Sequence, residues 1–221
     1  MANPRRLHLK DFKIVSNKRR KDVDIEMWME QLGIITHLEK EKSADFRRAL
    51  SNYVIIRLVS SIEVYFRDFV REIIDDHKIE PRGIFPNDEV VISLFELEGI
   101  KANQNITRGR IVSNAINFQN LERIDEVFSK LFNVKSFLQI IRANDKLASY
   151  TFPHGASTYP TYLFSWKKLN EIFKLRNEII HKMINPNLEP SDLRDYFATV
   201  LLFITLSDMF VSGKISHKSK K

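Results

Sequence analysis

The sequence predicts an all-α protein, a helical bundle made of two long helix pairs with short helices inserted between them. Two observations predict it. Apolar residues recur at steps of three and four through four long segments, residues 22–43, 44–78, 163–183 and 191–212. None of the 7 Pro residues falls inside any of those segments.

The first segment carries Ile25, Trp28, Met29, Leu32, Ile35 and Leu38 on one face. Asp22 or Asp24 can cap its start, and an acidic first turn suits the helix dipole. The second carries Ile55, Leu58, Val59, Ile62, Phe66, Phe69, Val70 and Ile73, and a tight connection near Ser43 makes the two a long hairpin. The stretch from Pro81 to Pro86 (PRGIFP) breaks the chain. Val90 to Leu97 fits a short strand and a helical turn equally well. Thr107 caps a helix over 108–117. Residues 121–132 place Leu121, Ile124, Val127, Phe128 and Leu131 on one face, and 136–144 form another short helix. Residues 148–162, with two Pro, one Gly and several hydroxyl side chains, read as a loop. The closing helices, 163–183 and 191–212, are separated by Asn185-Pro-Asn-Leu-Glu-Pro190, with Ser191 as the N-cap of the last. The whole is read as one domain over 22–213, with a basic segment at 1–21 and a basic tail at 214–221.

The net charge of +7 lies in those ends. Residues 1–21 hold eight basic residues against one acidic, residues 214–221 hold four basic and none acidic, and the body between is net negative. Such ends can neutralise phosphates on RNA or DNA, or serve only as solvated surface. The absence of Cys excludes disulfides, thiol catalysis and Cys-based metal sites. There is no phosphate-binding glycine loop, dinucleotide fingerprint, HExxH, EF-hand loop or GxSxG. The 6 His are scattered without ligand spacing, so neither metal nor cofactor is expected. The acidic neighbours Asp75-Asp76 and Asp88-Glu89 are expected on the solvated surface. The longest nearly unbroken apolar run, Phe197 to Leu206, is half the ~20 residues a spanning helix needs. With no apolar leader at the N-terminus, the expectation is a soluble cytoplasmic protein with no membrane partner.

One helix breaks its own pattern. In 163–183 the apolar stripe runs Leu169, Ile172, Phe173, Ile179, Ile180 and Met183, and its middle falls on Arg176. A guanidinium there needs a partner if it is buried, and Glu63 on the second long helix is one possibility. Asn177 and His181, four apart, share the flank beside the stripe. His181 stands close to the helix C-terminus, where the dipole favours a cation. Arg176 and His181 lie about 140° apart around the helix, so one helix alone does not aim both at a common point.

The run Arg176-Asn-Glu-Ile-Ile-His181 (RNEIIH) resembles the Rx4–6H motif of HEPN domains. Its context is similar too: it closes a long helix, a loop follows, and an apolar last helix comes after. The upstream helix LVSSIEVYFRDFVREII resembles the second helix of that family, with Glu63 ahead of Tyr65, Phe66 and Phe69. Within the superfamily the chain is most similar to RiboL-PSP-type HEPN proteins, over about 22–213. Lys182 departs from the small residue common after the His. The resemblance implies a HEPN-like fold and a metal-independent endoribonuclease, dimeric, with two motifs facing one cleft. It also implies a prokaryotic toxin or anti-phage effector, with an antitoxin or defence-system partner protein. Arg176, Asn177 and His181 would be catalytic and Glu63 a supporting or structural residue. Two other readings stay open: a non-catalytic HEPN-like module that binds RNA or protein, and a purely structural bundle in which Arg176 pairs with Glu63.

Overall fold

The computed structural model describes residues 5–8, 25–92, 106–143 and 164–218. Among them are seven α-helices and two short strands, so the protein is all-α, as the apolar periodicity predicts. The helices are α1 (Ile25–Leu38), α2 (Ala44–Asp75), α3 (Arg108–Asn114), α4 (Leu121–Phe132), α5 (Phe137–Ala143), α6 (Trp166–Lys182) and α7 (Pro190–Lys218). The strands are β1 (Arg5–His8) and β2 (Glu89–Ile92). The chain divides into two compact units, residues 22–62 with 138–221, and residues 1–21 with 63–137. α2 supplies residues to both.

In the first unit the connection between α1 and α2 closes as expected. Ser43 Oγ accepts from the Phe46 N–H at 3.3 Å, capping α2, and its own N–H donates to Glu41 Oε1 at 2.8 Å. α1 and α6 both pack on α7. The core of this unit comprises Ile35 and Leu38 of α1, Ile55, Leu58 and Ile62 of α2, Leu169, Ile172 and Phe173 of α6, and Leu193, Val200 and Phe203 of α7, all buried. Ion pairs Arg194–Glu39 and Lys168–Asp195 fasten the two contacts at the rim. The phenol of Tyr196 is held well above its usual range, first by burial and then by the nearby Glu171 carboxylate. α7 starts one residue before the predicted cap: Pro190 is its first residue, and Ser191 lies inside the first turn. Proline fits that first position because its missing N–H would be unpaired there anyway. Asp192 supplies the cap instead, its Oδ2 accepting from the Glu189 N–H at 3.1 Å.

The second unit is built on rings. Phe66, Phe118, Phe128 and Phe137 are fully buried, with Phe66 and Phe128 edge-on at 5.1 Å and Phe128 and Phe137 tilted at 5.0 Å. The predicted cap at Thr107 is present, accepting from the Arg110 N–H at 3.1 Å, and the structure adds one the sequence reading did not name, Asn120, which accepts from the Arg123 N–H at 2.7 Å. α4 stops at Asn133, whose left-handed backbone (φ 52°) lets Val134 N–H reach Ser129 O at 2.9 Å. The run beginning at Val90 resolves as strand over Glu89–Ile92; its remainder, 93–97, lies outside the described residues. β2 pairs antiparallel with β1, from Arg5 opposite Ile92 to His8 opposite Glu89, so part of the basic N-terminal segment is a strand. The candidate caps Asp22 and Asp24 and the 148–162 loop also lie outside the described residues.

Asp75 overturns the expectation of a solvated acidic pair. It is 1% exposed, and its Oδ1 accepts from the Gly109 N–H at 2.8 Å. The first turn of α3 presents N–H groups without helical partners; the Thr107 hydroxyl answers that of Arg110 and the Asp75 carboxylate that of Gly109, its negative charge also suiting the helix dipole. Beside it, the buried Arg108 fork donates to both Glu80 oxygens, at 3.0 and 2.8 Å. Those hydrogen bonds hold the Glu80 carboxyl below its ordinary value, against a smaller opposing effect of burial. A depressed carboxyl contributes stability above its unfolded-state value and loses it as pH falls through the folded-state value. Glu80→Gln should therefore lower the melting temperature at neutral pH, and the two melting temperatures should converge in acid.

By length and composition α2 could cross a membrane, although half of its apolar window is buried inside the protein, as in a core helix.

Candidate active site

α6 is anchored at one end and open at the other. Ser165 Oγ accepts from the Lys168 N–H at 3.3 Å to start it, and Leu169, Ile172 and Phe173 bury its first turns. Burial stops there. Arg176 is half-buried, and Asn177 and His181 are exposed. The stripe read from the sequence predicts that Ile180 and Met183 continue the core. The structure corrects this: Ile180 is 41% exposed, Met183 86% and the following Ile184 44%. Periodicity finds the face of a helix, but it does not say how far along the helix a neighbour covers that face.

Arg176 is thus a partly solvated cation at the margin of the covered region. Its Nη1 donates to Asn177 Oδ1 at 3.1 Å, so two of the three motif residues are linked side chain to side chain. That contact orients the guanidinium toward the flank carrying Asn177 and leaves the Asn177 amide nitrogen as a further donor. His181 is one turn on from Asn177, in the last turn of α6 beside Lys182. Glu63, on α2, is half-buried and belongs to the other compact unit.

The helix ends in a widened turn. Met183 takes a left-handed backbone (φ 53°), its N–H donates to Glu178 O, and the Ile184 N–H converges on the same carbonyl at 3.3 Å. The turn is thus set at Met183, one residue beyond Lys182, where the motif departs from the usual small residue. Just beyond, Asn185 Oδ1 accepts from Asn52 Nδ2 of α2 at 2.6 Å. Sequence reading missed Asn52, because nothing local marks a contact across 133 positions.

Chemically, this end of α6 offers a fork of N–H donors, an amide and an imidazole, all reachable from solvent, inside a collar of uncovered aliphatic side chains. A guanidinium recognises the paired oxygens of a phosphate, and an imidazole can take or give a proton near neutral pH. Among the described residues no group of three or more His, Asp or Glu could hold a metal ion.

A family model described as RiboL-PSP-HEPN matches residues 28–211, a span that includes α2, α6 and the whole Arg176-to-His181 run. No curated protein and no solved structure matches the chain.

Proposed function

The chain belongs to the RiboL-PSP-HEPN family, and on that premise we propose that it is a metal-independent endoribonuclease acting as a homodimer in the cytoplasm. In its neutral form His181 removes the proton from a ribose 2′-hydroxyl, and the resulting oxygen attacks the adjacent phosphorus. Arg176 donates to the phosphoryl oxygens as negative charge builds on them, a bidentate task that suits its planar fork. Asn177 holds the guanidinium and has an amide nitrogen for the phosphate or the ring. The bond from phosphorus to the 5′-oxygen breaks, and that oxygen takes a proton from the imidazolium of the second copy. The products are a 2′,3′-cyclic phosphate and a free 5′-hydroxyl. DNA, without the attacking hydroxyl, survives.

The collar of Ile180, Met183 and Ile184 around a polar triad supports a site shared between two copies. Three large aliphatic residues uncovered around one helix end favour association. A second copy supplies what the angle between Arg176 and His181 denies to one helix. Within this reading the biological role is that of a prokaryotic toxin or anti-phage effector, held in check or triggered by a partner protein.

Met183→Glu tests the shared site. Met183 lies outside the core, so folding should be unaffected, while a carboxylate in the contact should turn a dimer into a monomer in sedimentation velocity. Cleavage should fall with the dimer fraction. A parent that is monomeric while cutting RNA, or a Met183→Glu variant that stays dimeric, would count against it.

A further inference from the structure

The motif helix ends on an exposed turn. From Lys182 to Asn185 every side chain is exposed, and Met183 sits in a backbone region that disfavours side chains larger than Gly. Ends of this kind open locally far more often than a protein unfolds. His181 stands in the last turn before it. Among the described residues, a hydrogen bond that reaches this turn from elsewhere in the same compact unit is the short side-chain bond from Asn52 Nδ2 to Asn185 Oδ1 at 2.6 Å.

Asn52 is committed to that contact. It is half-buried on α2, and its own Oδ1 is sealed from solvent with no hydrogen-bond partner among the described residues. A buried amide oxygen left unpaired is a cost that an apolar side chain would avoid. The residue at 52 thus pays for its nitrogen, and its nitrogen goes to Asn185. Pro186 follows directly and restricts the backbone of Asn185, so a hold on this side chain is passed to the turn.

We propose that Asn52 is a positioning residue for the motif: by holding Asn185 it keeps the end of α6 closed and so keeps His181 at its working angle. The functional half of this proposal rests on the ribonuclease reading; the structural half does not. Asn52 touches neither substrate nor the reacting atoms.

The test is a double-mutant cycle on the full chain, read in two ways. Hydrogen exchange at the Met183 and Ile184 amides, which both donate to Glu178 O, reports opening of the turn. Asn52→Ala and Asn185→Ala should each speed exchange there by about fivefold, and the double variant should be no faster than either. Asn185→Asp should keep exchange slow, because a carboxylate still accepts from Asn52 Nδ2, and should fail to do so when combined with Asn52→Ala. In RNA cleavage the alanine variants should lower kcat by about tenfold while KM moves less than twofold, since binding is intact and alignment is lost.

Exchange at those two amides as slow in Asn52→Ala as in the parent would overturn the tether, and so would multiplicative effects in the double variant. If the tether fails while the parent cuts RNA, the ribonuclease reading stands without it. If the exchange cycle holds while the parent leaves RNA uncut, the turn is tethered but the positioning role in catalysis is refuted together with that reading.

Discussion

His181→Ala is expected to lower RNA cleavage by about 10²–10⁴-fold, the range lost when a positioned general base is removed. Arg176→Ala should cost about 10²–10³-fold, comparable to the loss of a donor to a developing oxyanion. Arg176→Lys should recover little of it, because an ammonium keeps the charge and loses the fork. Neither residue is buried, so melting temperatures should stay close to the parent's, and lost activity cannot be ascribed to lost folding. EDTA should change nothing. Variants that cut as well as the parent would remove both residues from the chemistry.

Gly109→Ala is expected to destabilise the second unit by about 3–5 kcal/mol. A Cβ at this position would lie 2.6 Å from the Arg71 carbonyl oxygen and 2.7 Å from the Asp75 carboxylate. One of those contacts is to helix backbone and the other to a buried charged group, so nothing nearby can yield cheaply. Moving α3 away to make room breaks the bond from Gly109 N–H to Asp75 Oδ1 and strands a carboxylate that is 1% exposed. Its Oδ2 already lacks a hydrogen-bond partner among the described residues. Gly33→Ala is the contrasting case. Gly33 is exposed within α1 with nothing within 4 Å of an added Cβ. There the substitution should stabilise by about 0.5–1 kcal/mol through helix propensity alone. Chemical denaturation of the two variants checks both signs, and a Gly109→Ala variant as stable as the parent would mean that α3 does not dock on Asp75 as described.

What the sequence reveals and what it hides follow from the range of the forces involved. The bounds of α4 are legible to the residue because its cap, its apolar face and its left-handed stop at Asn133 all sit within one short stretch. The α1–α2 hairpin is legible for the same reason, through Ser43. β1 is not: four residues of RRLH, rich in charge, show no alternation, and only the partner β2 makes them a strand. Asp75 reads as surface because its neighbour Asp76 is also acidic, while the N–H that claims it comes from 34 positions away. At the candidate site the sequence offers Arg176, Asn177 and His181 as candidates and does not show the exposure of Ile180 and Met183, since an apolar stripe looks the same whether its cover belongs to this chain or to another. Asn52 carries no local signal at all.

The most direct measurement is the chemistry of the cut ends. Purified protein is incubated with end-labelled RNA in EDTA, and the termini on each side of the break are identified, with the same oligonucleotide carrying 2′-deoxyribose as the companion substrate. Attack by the neighbouring hydroxyl, driven by His181 and Arg176, predicts a 2′,3′-cyclic phosphate and a 5′-hydroxyl from the RNA and an intact deoxy strand. Breaks that leave a 3′-hydroxyl and a 5′-phosphate, that appear only when a divalent metal is restored, or that occur equally in the deoxy strand would contradict it.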